Sequence, residues 1–160
     1  MTVTNVDVDT EAKTLTLTAQ FAASVEQVWQ LWADPRKLEQ WWGPPTYPAT
    51  VVDHDLGVDG RVTYFMTGPE GEKHHGWWRI VSVDAPNRLA FEDGFGDASG
   101  NPNPDMPITM AQVAIDALAD GGTRMILSST FPTAEVMAQM VEMGMQEGIT
   151  LAAGQMDALL

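Results

Sequence analysis

Residues 132–160 read PTAEVMAQMVEMGMQEGITLAAGQMDALL, and this stretch decides the fold. Pro132 ends the strand before it, and Thr133 can cap a helix whose first turn holds Glu135. Met137, Val141, Met145, Ile149, Ala152, Met156 and Leu159 then recur at helical spacing along one side. At about 1.5 Å per residue this predicts a single helix roughly 40 Å long, enough to cross a small domain. Gly144 and Gly148 stand in its middle, and each costs roughly 1 kcal/mol against alanine inside a helix. Either another element packs very close to them, or volume beside them is left open for a ligand.

Everything before this helix reads as a sheet built to surround it. Residues 13–22 alternate Leu15, Leu17 and Ala19 with threonines, the pattern of a half-buried strand. Ser24 with Gln27 makes a capping box for a helix carrying Val25, Val28, Trp29 and Trp32. Asp34-Pro35 starts a second short helix, which stops at Gly43-Pro44-Pro45. Strands follow over 49–56, 61–67, 72–83 and 88–93, then over 108–118 and 123–131 joined across Asp120-Gly121-Gly122. The loop 94–107, GFGDASGNPNPDMP, has the length and composition of a functional rim or a mobile segment. One strand, two helices, six strands and a long helix make an α+β chain. A seven-stranded antiparallel sheet with one apolar face must curl around something, and the terminal helix is the only candidate. Residues 1–12 are expected to form a flexible polar N-terminus, and residues 13–160 one domain.

Composition narrows the function. A chain of 160 residues suits one domain with a real core. It has no cysteine, which removes disulfides, thiolate metal sites and cysteine nucleophiles. No apolar run is long enough to span a bilayer, and residues 1–11 lack the layout of a signal peptide, so a cytoplasmic location is expected. Net charge is −14 and the eight Lys and Arg residues are scattered, which argues against nucleic acid and against an anionic membrane surface. GxSxG, GxGxxG and P-loop patterns are all missing, which removes the commoner hydrolase, dinucleotide and nucleotide routes.

Several stretches carry a resemblance. They are FAASVEQVWQLWADPRKLEQWWGPP (21–45), GRVTYFMTGPEG (60–71), Pro86-Asn87-Arg88-Leu89, Gly121-Gly122-Thr123-Arg124, Gly144-Met145-Gln146-Glu147-Gly148 and Met156-Asp157-Ala158-Leu159-Leu160. With these the chain resembles the START-like (SRPBCC, birch-allergen-like) helix-grip superfamily. Within it, it is most similar to the bacterial branch named after the activator of the heat-shock-protein-90 ATPase. The resemblance implies a helix-grip fold, with a concave sheet face closed by the long helix. It implies no single shared reaction. The eukaryotic namesakes stimulate a chaperone ATPase with an additional N-terminal domain, to which nothing in the quoted stretches corresponds. Gln20, Ser24 and Ile149 depart from the residues usual in the family.

Alternation assigns side chains to that concave face. Val62, Tyr64 and Met66 look inward from one strand, and His74, Gly76 and Trp78 from the next, with His75, Trp77 and Arg79 outward. A slip of one residue would exchange these sets. Phe91, Val113 and Met125 continue the face, together with Leu89, Ile115 and Leu127, while Val141, Gly144, Met145 and Gly148 approach from the helix. The expected ligand-binding set is therefore Val62, Tyr64, Met66, His74, Trp78, Phe91, Val113, Met125, Val141, Gly144, Met145 and Gly148. Mostly apolar walls with a few polar groups suit a small apolar molecule, and methionine-rich walls suit loose selectivity. A plain packed core is the competing reading. His54, His74, Asp93 and Tyr64 could converge as acid and base or as metal ligands, yet no metal-site spacing supports this. His74 and His75 point to opposite faces and do not chelate as a pair. Trp41 and Trp42 either gate a cavity or plug the two short helices onto the sheet. No catalytic residue, metal or cofactor is assigned. Two rivals to ligand binding stay open. One is a chaperone-associated protein-interaction module, with an exposed apolar patch on the outer sheet or at Trp77 and a chaperone contact or a homodimer as its partner. The other is an enzyme of the cyclase or hydratase kind.

Overall fold

The computed structural model describes residues 3–160. Eight strands form one open antiparallel sheet: β1 Val3–Asp9, β2 Thr14–Phe21, β3 Ala49–His54, β4 Arg61–Thr67, β5 Lys73–Asp84, β6 Arg88–Phe95, β7 Thr109–Ala117 and β8 Thr123–Thr130. Their spatial order is β1-β2-β8-β7-β6-β5-β4-β3. The α+β class stands, with one strand more than expected. Met1 and Thr2 lie outside the described residues, but Val3–Asp9 pairs along β2. The acidic look of this segment hides a period of two, in which Val6 and Val8 face the apolar clusters while Asp7 and Asp9 face solvent. Asp9 then accepts hydrogen bonds from the backbone N–H of Glu11 and Ala12, closing the turn into β2.

Between β2 and β3 sit α1 Val25–Ala33 and α2 Pro35–Trp41. The capping box forms as its residue types require: the Ser24 hydroxyl accepts from Gln27 N–H, and Ser24 N–H donates to Gln27 Oε1. Asp34 caps α2 at 2.9 Å from Arg36 N, ahead of Pro35. The two helices lock where Trp41 Nε1 donates to Leu31 O at 2.8 Å. α2 also covers the free edge of the sheet. Val51 N–H donates to Glu39 and Val51 C=O accepts from Arg36, both at 2.8 Å, so this edge strand offers fewer open backbone groups to another chain. Single extra residues at Val52 in β3 and Val81 in β5 break the ladder register. Such bulges bend a strand, which helps the sheet curl, and they leave these two valines exposed.

The terminal stretch is not one helix. It divides into α3 Ala134–Glu142, α4 Met145–Ala153 and a 3-10 turn at Met156–Leu159. The break falls at Gly144, whose φ of 94° is left-handed. Glycine alone enters that region without a Cβ clash, and one such residue stops a helix and redirects the chain. Thr133 caps α3 as its position predicts, at 3.1 Å from Val136 N. The far end is tied down by Gln155, which donates to Gly43 O at 2.7 Å in the turn after α2. No helix among the described residues is long and apolar enough to cross a membrane.

Candidate functional site

The concave face is filled at one end and hollow at the other. α1 and the end of α2 drive Trp32 and Trp42 onto Trp78 and Phe91 of the sheet, with Trp41 packed against both of them. Trp78 stacks on Phe91 with ring centroids 4.0 Å apart, and Trp42 meets Trp78 edge-on at 4.9 Å. Val62, Trp78, Phe91, Val113 and Met125, placed by alternation on a ligand wall, are accordingly packed in the solid core. Their inward direction is as expected, but the tryptophans from the two short helices occupy the space in front of them.

Beyond this plug, a cavity of about 270 Å³ opens between the sheet and α4. Tyr64, Met66, Met145 and Gly148 line it, as their spacing predicts. So do Pro44 and the two tryptophans, Trp41 and Trp42, which sequence reasoning left as gate or plug. Both tryptophans pack into the core and wall one end of the hollow. Asp93, Phe95, Ala111, Leu127, Ser129, Ile149 and Ala152 complete the wall. A second recess of about 120 Å³ shares Tyr64, Met66, Asp93, Phe95 and Met145 with it and adds His74 and Met140.

The two mid-helix glycines prove to differ. A side chain at Gly148 would meet nothing within 4 Å, so it marks open space and not a close contact. Gly144 does not line the cavity and instead sets the helix break. Val141 lies apart from the hollow, against the cluster of Leu15, Phe131 and Met137. Strand β5 has the expected phase: Gly76 and Trp78 face in, while His75 and Trp77 line the outer surface.

The polar groups gather at one spot. Tyr64 Oη donates to Asp93 Oδ1 across a long 3.4 Å. Asp93 continues the inward phase of Leu89 and Phe91 on β6, so a carboxylate stands where the alternation calls for an apolar residue. Loss of hydration pushes its carboxyl up to about 7, and the hydrogen bond from Tyr64 pulls only weakly the other way. Burial likewise holds the Tyr64 hydroxyl well above its ordinary range, with the Asp93 charge adding to it. The indole N–H groups of Trp42 and Trp78 have no hydrogen-bond partner among the described residues, and both rings pack around Tyr64, with centroids 6.1 and 6.3 Å from its ring.

The histidines do not join this cluster. His54 lies outside the hollow, with Nε2 at 2.9 Å from Trp32 O, where it pins β3 to α1. His74 borders the smaller recess but is 60% exposed, with Glu72 at 3.7 Å. Convergence of His54, His74 and Asp93 is therefore not realised. Trp77 is buried, not the centre of an exposed apolar patch: its Nε1 donates to Phe95 O at 3.0 Å, and Arg61 lies over its ring.

The family model described as Activator of Hsp90 ATPase homolog 1-like protein matches residues 22–160. Among solved structures, protein Ms6760 from Mycobacterium smegmatis is 52% identical, with a TM-score of 0.90 over 99% of this chain and 96% of that one. A protein from Arthrobacter aurescens is 47% identical, with a TM-score of 0.94 over 99% of this chain and 91% of the other. A Silicibacter pomeroyi protein, at 22% identity and a TM-score of 0.71 over 91% and 95% of the two chains, shares the fold alone. No curated protein matches the chain.

Proposed function

This chain belongs to the Activator of Hsp90 ATPase homolog 1-like family, and we propose that it binds a small, largely apolar molecule in the hollow between β4, β6–β8 and α4. The observation that carries this reading is the open space at Gly148. A helix interior gains about 1 kcal/mol from alanine in place of glycine, yet here a glycine faces a cavity with room for a side chain.

Size and lining set the ligand class. At about 270 Å³ the hollow lies just below the roughly 300–1,000 Å³ of common ligand pockets, which fits a molecule of one or two rings. A ligand burying about 200 Å² of apolar surface gains about 5 kcal/mol at roughly 25 cal/mol per Å². Burial alone thus supports affinity on the order of 0.1–1 mM, and the polar end at Tyr64 and Asp93 supplies orientation.

The test is a fluorescence titration with 6-propionyl-2-(dimethylamino)naphthalene, a neutral, mainly apolar two-ring dye. The parent chain should bind it saturably, and Gly148→Leu should remain folded and lose binding at least about tenfold, or 1.4 kcal/mol. Equal affinity in a folded Gly148→Leu chain would count against the reading.

A further inference from the structure

The Tyr64–Asp93 pair asks for more than packing. An inward carboxyl among apolar neighbours is costly unless its oxygens are claimed. Here the Tyr64 hydroxyl supplies the single side-chain hydrogen bond to Asp93 found among the described residues. Asp93 meanwhile lines both the main cavity and the adjoining recess. The Tyr64 proton has Asp93 Oδ1 as its acceptor, and this contact steadies the carboxylate where it borders the hollow. Ser129, whose side chain makes no hydrogen bond among the described residues, lines the same cavity.

We propose that Asp93 is a general base that removes a proton from an acidic C–H, one beside a carbonyl or equivalent electron-withdrawing group, of the molecule held in this cavity. The carboxylate takes the proton, the C–H electron pair forms a carbon–carbon double bond, and the carbonyl pair moves onto oxygen as an enolate. The carboxylic acid then returns the proton to the same carbon or to another, so no oxidant or co-reactant is consumed. Ser129, the hydroxyl on the cavity wall besides that of Tyr64, is assigned as the donor to the enolate oxygen. Positioned general bases contribute roughly 10²–10⁴-fold, and loss of hydration strengthens a carboxylate base. The ionisation of Asp93 near neutrality suits this task, because an appreciable fraction is basic at physiological pH.

This inference rests on the binding reading, and one probe separates the two. 5-Nitrobenzisoxazole is a flat, mainly apolar carbon acid. Removal of its C3 proton converts the C–H pair into the nitrile bond, breaks N–O and releases a coloured cyanonitrophenolate. The full chain should quench saturably on binding, through Trp42, and should release phenolate with a rate that rises through a single ionisation near 7. Asp93→Asn should still quench saturably, and its rate at saturation should fall at least about 100-fold. Tyr64→Phe should retain turnover with its midpoint moved to higher pH. Saturable binding with no loss of rate in Asp93→Asn, or a midpoint near that of an ordinary carboxylate, would overturn the proposal and leave the binding reading standing. Absence of saturable binding to the parent chain would overturn both.

Discussion

Gly76 lies directly under the ring of Tyr64. The two are cross-strand partners in β5 and β4, and a Cβ at position 76 would overlap the Tyr64 ring and hydroxyl. The empty position lets the phenol lie against the sheet with its hydroxyl at Asp93, two strands away from its own. Gly94 does the same on the outer face for Trp77, its partner across the β5–β6 ladder. A glycine opposite an aromatic residue weakens a strand intrinsically, and the ring covers the gap it leaves.

Gly76→Ala should therefore displace Tyr64 as a whole and not merely crowd it. Overpacking of a closed site costs roughly 1–3 kcal/mol, and that range is expected here by urea denaturation. Combining it with Tyr64→Ala should recover most of the cost, because the clash is with that ring. A double-mutant cycle showing independent effects would contradict the contact.

The Asp93 carboxyl should make the fold less stable as pH rises. An unfolded aspartate titrates near 3.9, while the folded one is pushed up to about 7, so the native state holds a proton that the unfolded chain has released. Stability falls through that window by at most about 4 kcal/mol, at about 1.4 kcal/mol per pH unit, and levels off above it. Asp93→Asn should accordingly be more stable than the parent at about pH 8, with the advantage shrinking towards about pH 5. Parallel denaturation curves at these pH values check the sign.

The two glycines of the terminal stretch should respond to alanine with opposite signs. At Gly144, with φ of 94°, a Cβ costs about 1–2 kcal/mol. At Gly148, inside α4 with no atom in the way, alanine should add about 0.5–1 kcal/mol. Thermal melts of the two single variants test this. A loss at both positions would mean that Gly148 also answers a backbone demand.

Much of this architecture was legible because strand and helix periods are direct consequences of backbone geometry. The inward phase of Tyr64, Met66 and Trp78, the hairpin across Asp120-Gly121-Gly122, and the capping box at Ser24 all follow from local rules. The helix break was not legible, since the apolar repeat runs through Gly144 from Met137 to Ile149 and a glycine does not announce its φ. Strand β1 was obscured by aspartates that occupy only its outer face. Within the candidate site, the filled end was misjudged because Trp32 and Trp42 reach Trp78 across a long sequence separation. Asp93 left a visible trace, a carboxylate in phase with Leu89 and Phe91, although its contact with Tyr64 depends on the strand order.

The central claim is that the space between α4 and the sheet admits an apolar molecule. The most direct measurement is a crystal of the full chain soaked in bromobenzene, with the bromine located by its anomalous scattering. The account predicts one strong bromine peak walled by Met66, Leu127 and Gly148. A hollow closed by the side chains of Met145 and Ile149, with no bromine inside, would contradict it.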